Sequence, residues 1–284
     1  MKKLFFALLL LISTSALAET SLWKVSKGEN YFYIGGTVHL LSAKDMPFPE
    51  AFDHAYEDAD LLAFETDMAE LENPEIQFRL MSSLAYRDGT LLNQKISPAL
   101  YQKLNDYLTS RGLVPNMFLS MKPAGVMITM LTVEFQRLGI TQEGADGAYY
   151  RRARQDAKTV FSLESISSHL SFIASMGEGN EEMFLQQTLD DVYQIEPMMA
   201  DIVRSWKTGD EKALEELVIE DMREHYPVIY QSILVDRNRN WMPHLKQMSR
   251  TPEVEFILVG AAHVIGQDGL LSLLKQQGFT IQKM

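Results

Sequence analysis

The sequence of 284 residues contains no cysteine. This absence excludes a disulfide-stapled scaffold, a thiolate metal site and a cysteine nucleophile. Basic residues are also scarce, since 26 Lys and Arg against 38 Asp and Glu give a formal net charge of −12. That charge argues against a nucleic-acid partner, because proteins that bind phosphate backbones carry basic patches. The 10 Pro and 16 Gly are scattered, so no linker or low-complexity tract divides the chain.

Long apolar runs are absent beyond the N-terminus. Met1-Lys2-Lys3 gives a positive start, the stretch from Leu4 to Ile12 is uniformly apolar, and Ala16-Leu17-Ala18 supplies small residues at a cleavage site. This is the layout of a secretory signal peptide, and the apolar run is too short to span a bilayer. We therefore predict a signal peptide over residues 1–18 and an exported mature chain, periplasmic or secreted. No membrane span is expected after cleavage, and the missing cysteine excludes a lipoprotein anchor.

The remaining chain has the composition of a globular protein, with 46% apolar and 23% charged residues. Apolar periodicity predicts strands near both ends of the chain and a largely helical middle. The first two strands read as a hairpin around Lys27-Gly28-Glu29-Asn30. This pattern predicts a single domain over residues 19–284 of the α/β (α+β) class, with a central sheet flanked by helices.

Two strand-to-histidine junctions share one pattern. Tyr31–Ile34 leads through Gly36 to His39, and Phe256–Val259 leads through Gly260 to His263. The glycine lets the chain leave the strand sharply, and the histidine then stands beyond the carboxyl end of the strand, where open α/β sheets place ligands. One such histidine is more often packed or solvated than functional. Two copies in the same context favour a functional site.

Two further strands end in a glutamate followed by a hydroxyl residue, at Glu65-Thr66 and Glu164-Ser165. If all four strands lie in one sheet, two imidazoles and two carboxylates converge on one edge. Two neutral imidazoles and one or two carboxylates suit Mn²⁺, Co²⁺, Fe²⁺ or Zn²⁺. The alternative is that the glutamates are solvated strand ends beside helix N-caps, especially at Glu164.

Six short motifs follow one another along the chain: Gly36-Thr37-Val38-His39, Phe64-Glu65-Thr66, Gly144-Ala145-Asp146, Leu163-Glu164-Ser165, Arg237-Asn238 with Trp241, and Gly260-Ala261-Ala262-His263. This ordered set resembles the TraB/PrgY/GumN family, which is similar to the Tiki proteases and more distantly to erythromycin esterase and ChaN-type proteins. The resemblance spans roughly residues 28 to 282. It implies two pseudo-equivalent halves, a site formed by both G-x-x-H histidines and the first glutamate, and metal-dependent peptide hydrolysis in the Tiki branch. Members often carry Gln where this chain has His169.

From the residue pattern and the resemblance together, we expect His39, Glu65 and His263 to hold a divalent cation, which is Mn, Co or Zn. This cation would acidify a bound water and polarise the scissile carbonyl. Glu164 is the candidate general base or additional ligand. Arg237 either holds a substrate carboxylate or oxyanion, or forms a surface salt bridge within residues 236–240. The expected substrate is a peptide or protein.

The other candidate residues have simpler interpretations. Asp146 is expected to be a helix N-cap. Structural or solvated roles are expected for the remaining histidines, His54, His169, His225 and His244. Neither H-E-x-x-H nor G-x-S-x-G occurs, which argues against a zincin and a serine elbow.

Two alternatives of other classes stay open. In the first, a metal-free esterase-type hydrolase uses a G-x-x-H histidine as the general base, oriented by Glu65. In the second, the protein binds haem, metal or a peptide signal in the periplasm without turnover.

Overall fold

The computed structural model describes residues 19–141 and 144–284. The predicted signal peptide, residues 1–18, lies outside the described residues and stays a prediction, as does the single-domain assignment of residues 19–284. The strands of the described chain are β1 (Leu22–Lys27), β2 (Asn30–Thr37), β3 (Leu41–Ser42), β4 (Leu61–Phe64), β5 (Ile140–Thr141), β6 (Thr159–Ser162), β7 (Glu255–Gly260) and β8 (Thr280–Lys283).

Helices fill the intervals between the strands. They are α1 (Glu50–Asp58), α2 (Met68–Leu71), α3 (Pro74–Ser83), α4 (Pro98–Ser110), α5 (Pro123–Arg137), α6 (Ala145–Gln155), α7 (Ile166–Ser175), α8 (Glu181–Val192), α9 (Ile195–Thr208), α10 (Glu211–Glu215), α11 (Asp221–His225), α12 (Pro227–Tyr230), α13 (Asp236–Met248), α14 (Ala261–Val264) and α15 (Leu270–Gln276). Two π-helical segments, Glu216–Glu220 and Gln231–Val235, join α10 to α11 and α12 to α13. Short 3-10 turns occur at Ala43–Asp45, Leu92–Gln94 and Pro115–Phe118.

Six strands form the central sheet in the order β6-β4-β7-β2-β1-β8, and β3 pairs with β5 apart from it. The neighbours β6, β4, β7 and β2 run parallel, whereas β1 is antiparallel to both β2 and β8. The predicted hairpin is confirmed, with Lys27 opposite Asn30 at the turn. The α/β class with helices flanking a central sheet is therefore confirmed.

The sheet core explains the uniformly apolar strand sequences. Every residue of β7 is buried, because helices cover both faces of a parallel sheet. Aromatic rings pack beside the sheet, with Phe52 and Tyr149 both in edge contact with Phe256. A second apolar cluster, separate from the sheet, joins α4, α5 and α8, so part of the helical middle has a core of its own.

The predicted helical middle is confirmed. Its helices are not all regular, because the first π-helical segment inserts a wider turn between α10 and α11. Apolar spacing predicts a helix but does not distinguish the extra residue of a π turn. Within the part of the chain that the structure describes, no helix combines the length and apolar character needed to cross a membrane.

Glu255, at the start of β7, is expected to make stability fall as pH rises. The residue is only 4% exposed and its Oε2 has no hydrogen-bond partner, so burial raises the pKa of its carboxyl to about 7. The unfolded chain loses this proton near pH 4.5, so the folded state becomes less stable between pH 4.5 and 7, by up to about 3 kcal/mol. Urea unfolding of Glu255→Gln should lack this loss, whereas the exposed control Glu224→Gln should retain it. Identical pH profiles for Glu255→Gln and the wild-type chain would contradict this account.

Candidate functional site

The four parallel strands end at the same edge of the sheet, and each is followed by one of the predicted polar residues. Across the sheet these residues run Glu164 after β6, Glu65 after β4, His263 after β7 and His39 after β2. Strand pairing alone brings them together, since Phe64 pairs with Ser162 and Leu258. The predicted convergence of both histidines and both glutamates on one edge is confirmed.

Glu65 lies at the centre of the cluster. Its Oε1 accepts a hydrogen bond from the backbone N–H of Gly260 at 2.7 Å and lies 3.6 Å from Nε2 of His39. Its Oε2 accepts from Nη2 of Arg237 at 2.6 Å. Burial alone would raise the pKa of this carboxyl, but the guanidinium of Arg237, the ring of His39 and the Gly260 amide outweigh it and hold the pKa well below its usual range. Glu65 is therefore a buried, ionised carboxylate.

Arg237 joins three of the four strand ends. Its Nε and Nη2 donate to the two oxygens of Glu164 at 3.1 and 2.8 Å. Its Nη1 lies 2.9 Å from Nε2 of His263. The residue is 8% exposed, because α13 turns this side chain toward the sheet while its neighbour Arg239 faces outward. The surface salt bridge considered for residues 236–240 is therefore wrong.

His263 is held by Asn238 in one tautomer. The amide Nδ2 of Asn238 donates to the backbone carbonyls of His263 and Asp268 at 3.1 and 2.9 Å. The Oδ1 of Asn238 is thus left to accept a hydrogen bond from Nδ1 of His263 at 2.8 Å. Burial lowers the pKa of the imidazole to about 3 despite the charge of Glu65. The ring is neutral, and its Nε2 lone pair accepts from Arg237.

His39 is paired with Asp146, with 3.0 Å between its Nδ1 and the carboxylate Oδ2. The packed surroundings by themselves lower the pKa of the ring, but the charges of Asp146 and Glu65 outweigh them and raise the pKa to about 9. Because 52% of the side chain is exposed, water screens part of this effect. The expected N-cap role of Asp146 is wrong, because Gly144 is the N-cap of α6. Asp146 lies inside the first turn of the helix, and its carboxylate contacts the ring of His39.

Gly144 lets α6 dock against the His39 loop. A Cβ at this position would lie 2.3 Å from the backbone carbon and oxygen of His39. We expect Gly144→Ala to lower the free energy of unfolding by about 2 kcal/mol or more, because backbone atoms must shift to make room. The matched control is Gly147→Ala in the same helix, where a Cβ meets nothing within 4 Å. Helix propensity predicts stabilisation there by about 0.5–1 kcal/mol. Urea denaturation should separate the two variants, and equal effects would contradict the close approach.

Glu164 is surrounded by donors. Its Oε1 is contacted by Arg237 and by Nδ1 of His169 at 2.8 Å, and its Oε2 by Arg237 and by Nε1 of Trp241 at 3.2 Å. Burial would raise its pKa, but the hydrogen bonds from His169 and Arg237 lower it. These contacts favour a role in holding Arg237. Its role as a general base or metal ligand stays a prediction.

Sequence reasoning missed three residues of the site as direct participants, namely His169, Asn238 and Trp241. His169 is not solvated, because its ring contacts Glu164 at 2.8 Å and only 16% of its side chain is exposed. The structural role that was the other expectation stays a prediction. Adjacency to Arg237 was the available signal for Asn238 and Trp241, since both lie on the same helix. The histidines at 54, 225 and 244 are exposed on helices, as expected.

A cavity of about 590 Å³ opens above the strand ends. Its polar end contains His39, Glu65, Arg237 and His263, and the rest of its wall is mainly apolar side chains from the helices. The candidate residues therefore border a space that a ligand can enter.

The imidazoles of His39 and His263 and the carboxylate of Glu65 are suitable ligands for a divalent cation. They are not arranged as a complete metal site. The Nδ1 atoms of both imidazoles are held by Asp146 and Asn238, as in metal sites whose histidines are oriented by a second residue. Nε2 of His39 lies 3.6 Å from Glu65, and Nε2 of His263 faces Arg237. Among residues 19–141 and 144–284, however, no three His, Asp or Glu side chains are grouped closely enough to hold a metal. The guanidinium of Arg237 lies between Glu65 and His263 instead.

Comparison with known proteins gives one family and one curated relative. The model of the TraB/PrgY/gumN family matches residues 21–283. The chain is also 20% identical over 249 residues to the Escherichia coli (strain K12) protein called "Uncharacterized protein YbaP", an alignment covering 87% of this chain and 89% of that protein. No solved structure matches significantly.

Proposed function

The chain belongs to the TraB/PrgY/gumN family, and from this premise we propose that it is an exported, metal-dependent hydrolase of the metalloendopeptidase type. Its substrate is a peptide or protein, and its centre comprises His39, Glu65 and His263. One observation carries the proposal: three adjacent parallel strands place two oriented imidazoles and one ionised carboxylate at the border of one cavity. The leader pattern of residues 1–18 supports export to the periplasm or medium.

His39, Glu65 and His263 would hold the cation. A Mn, Co or Zn ion there would supply a Lewis acid and an acidified water. His263 is prepared for this role, because Asn238 fixes its tautomer and leaves Nε2 with a lone pair. His39 would have to release a proton to become a ligand, since the pKa of its ring is about 9.

The remaining site residues position charge around the reacting group. Glu164 holds the guanidinium of Arg237 through both of its oxygens, which fixes a permanent positive charge at the polar end of the cavity. A charge in this position stabilises the negative oxygen that develops on a carbonyl during hydrolysis. Gly260 contributes the amide that fixes Glu65 and, having no Cβ, leaves space beside Nε2 of His39.

One observation favours a second candidate, a hydrolase that needs no metal. The guanidinium of Arg237 already contacts Glu65 and His263 at 2.6 and 2.9 Å. In this version Arg237 polarises the carbonyl, and the pair formed by His39 and Glu65 performs the proton transfers. Both candidates use the same strand ends. They differ in the source of the positive charge and in the role of the His39–Glu65 pair, which binds metal in the first candidate and transfers protons in the second.

The test is turnover of a peptide library by the purified chain of residues 19–284, with and without a chelator. We expect cleavage that the chelator abolishes and that added Mn²⁺, Co²⁺ or Zn²⁺ restores. Cleavage that is insensitive to the chelator would favour the metal-free candidate. No cleavage under any of these conditions would overturn both candidates and leave a binding protein.

A further inference from the structure

We propose that the apolar part of the cavity binds a long acyl chain, so that the preferred substrate is an acylated peptide. This inference rests on the proposed function for the hydrolytic step, but chain binding itself can be measured without turnover. The cavity volume of about 590 Å³ is large compared with the roughly 30 Å³ occupied by a water-sized group. It therefore has room for many methylene groups.

The walls of the cavity suit a hydrocarbon better than a peptide backbone. Apart from its polar end, the lining is apolar, and methionines are prominent in it: Met68, Met176, Met199 and Met222. Most of these wall residues lie on helices, where backbone N–H and C=O groups already bond within the helix. A buried peptide would leave its own amides unpaired, which is unfavourable, whereas an alkyl chain has no polar groups to satisfy. The flexible thioether side chains can adapt to such a chain.

The polar end carries atoms that lack a partner. The hydroxyls of Thr37 and Thr66 and the Oδ1 of Asp146 are buried without a hydrogen-bond partner, and all three residues line the cavity. Both threonines are only 2% exposed. Buried polar atoms are normally satisfied, so unused hydrogen-bonding capacity lies at this end of the cavity and not along its apolar walls. This end is therefore the part of the cavity suited to the polar group of a substrate.

Charge at the polar end argues for a neutral head group. Arg237, the one permanent cation among the described residues that line the cavity, is already paired with the carboxylates of Glu65 and Glu164. The carboxylate of a free fatty acid would therefore enter a poorly solvated space beside Glu65 and Asp146 without a free counter-ion. An amide-linked acyl chain carries no such charge.

Both π-helical segments of the described chain contribute to the wall. Val218 lies in the first, and Ile233 and Leu234 lie in the second. A π turn widens a helix locally and is frequent at functional sites. Two of them beside one cavity indicate that this wall is shaped for an occupant.

The direct test is calorimetric binding of decan-1-ol and butan-1-ol to the wild-type chain of residues 19–284. Each additional buried methylene strengthens binding roughly three- to fourfold, so we expect the Kd of decan-1-ol to be at least a hundredfold lower. Equal affinities, or no binding of decan-1-ol, would overturn the inference whatever the hydrolytic activity. Binding of decan-1-ol without any peptide cleavage would overturn the proposed function and retain the cavity assignment.

Variants locate the binding. Met176→Trp fills the cavity and should weaken decan-1-ol binding at least tenfold, whereas the control Met117→Trp, at a position 69% exposed, should change it less than twofold. Because a tryptophan can prevent folding, Met199→Gln provides a second variant of nearly equal size, with an expected loss of about fivefold. Circular dichroism verifies that each variant folds. Unchanged binding in both cavity variants would contradict the proposed position.

A kinetic comparison tests the substrate class. The same peptide library is capped with either a decanoyl or an acetyl group. We expect the decanoyl cap to lower KM at least tenfold in the wild-type chain and to lose this advantage in Met176→Trp. Equal KM values for both caps would show that the substrate does not use the cavity in this way.

Discussion

Replacement of Arg237 by methionine is expected to lower the free energy of unfolding by about 3–5 kcal/mol at neutral pH. The guanidinium is buried and bonds to the carboxylates of Glu65 and Glu164. Methionine keeps much of the side-chain volume but leaves two buried negative charges without their counter-ion. Breaking a buried ion pair from one side is far more unfavourable than removing an exposed one. Urea denaturation monitored by circular dichroism measures the loss.

The matched control is Arg239→Met, two residues along the same helix, where the side chain is exposed. Its expected effect is below about 0.5 kcal/mol. Adding Glu164→Gln to Arg237→Met should restore part of the stability, because it removes one of the two uncompensated charges. If the two arginine variants unfold at the same urea concentration, Arg237 does not neutralise the carboxylates of Glu65 and Glu164 as proposed.

Replacement of Glu65 by glutamine is expected to reduce peptide hydrolysis by about a thousandfold or more, within the range found when acid–base or metal-site groups are removed. The amide has nearly the same shape but carries no negative charge. It therefore cannot balance His39 and Arg237 or serve as an anionic ligand. The measurement is kcat/KM on a peptide that the wild-type chain cleaves.

Glu70→Gln provides the control for Glu65→Gln, since Glu70 is an exposed glutamate on the nearby helix α2. We expect its kcat/KM to remain within twofold of the wild-type value. A Glu65→Gln variant that is folded and equally active would show that hydrolysis occurs elsewhere in the molecule.

The sequence predicts the sheet edge well because its signals are local. Each of the four strands is a short apolar run with a polar residue immediately after it, and parallel strands must end on the same side. Position along the strand therefore predicts where His39, Glu65, Glu164 and His263 lie, without knowledge of the loops. The strand order itself is not local, since β7 inserts between β4 and β2 from the far end of the chain.

The partners of these residues depend on tertiary contacts and could not be predicted in the same way. Asp146 has the sequence context of a helix cap, but the docking of α6 on the His39 loop turns its carboxylate to the imidazole. Arg237 lies in a strongly polar run, and only the packing of α13 on the sheet distinguishes it from Arg239. His169 reaches the site because α7 begins directly after Glu164.

The cavity is also a tertiary property. Its wall combines residues from helices far apart in the sequence, and the π turns that shape it leave no clear mark in the apolar spacing. Their helical spacing predicts only that the methionines and aromatic residues belong to the core or to the wall of a groove. The structure places several of them, including Met199 and Met222, around a space beside the polar cluster.

The most direct test of the metal-dependent centre is the amount of divalent metal bound to the purified chain of residues 19–284, measured by elemental analysis. The proposal predicts about one Mn, Co or Zn ion per chain, lost in His39→Ala and in His263→Ala but retained in His54→Ala, an exposed histidine on α1. Equal metal content in the wild-type chain and in the variants at 39 and 263 would contradict it.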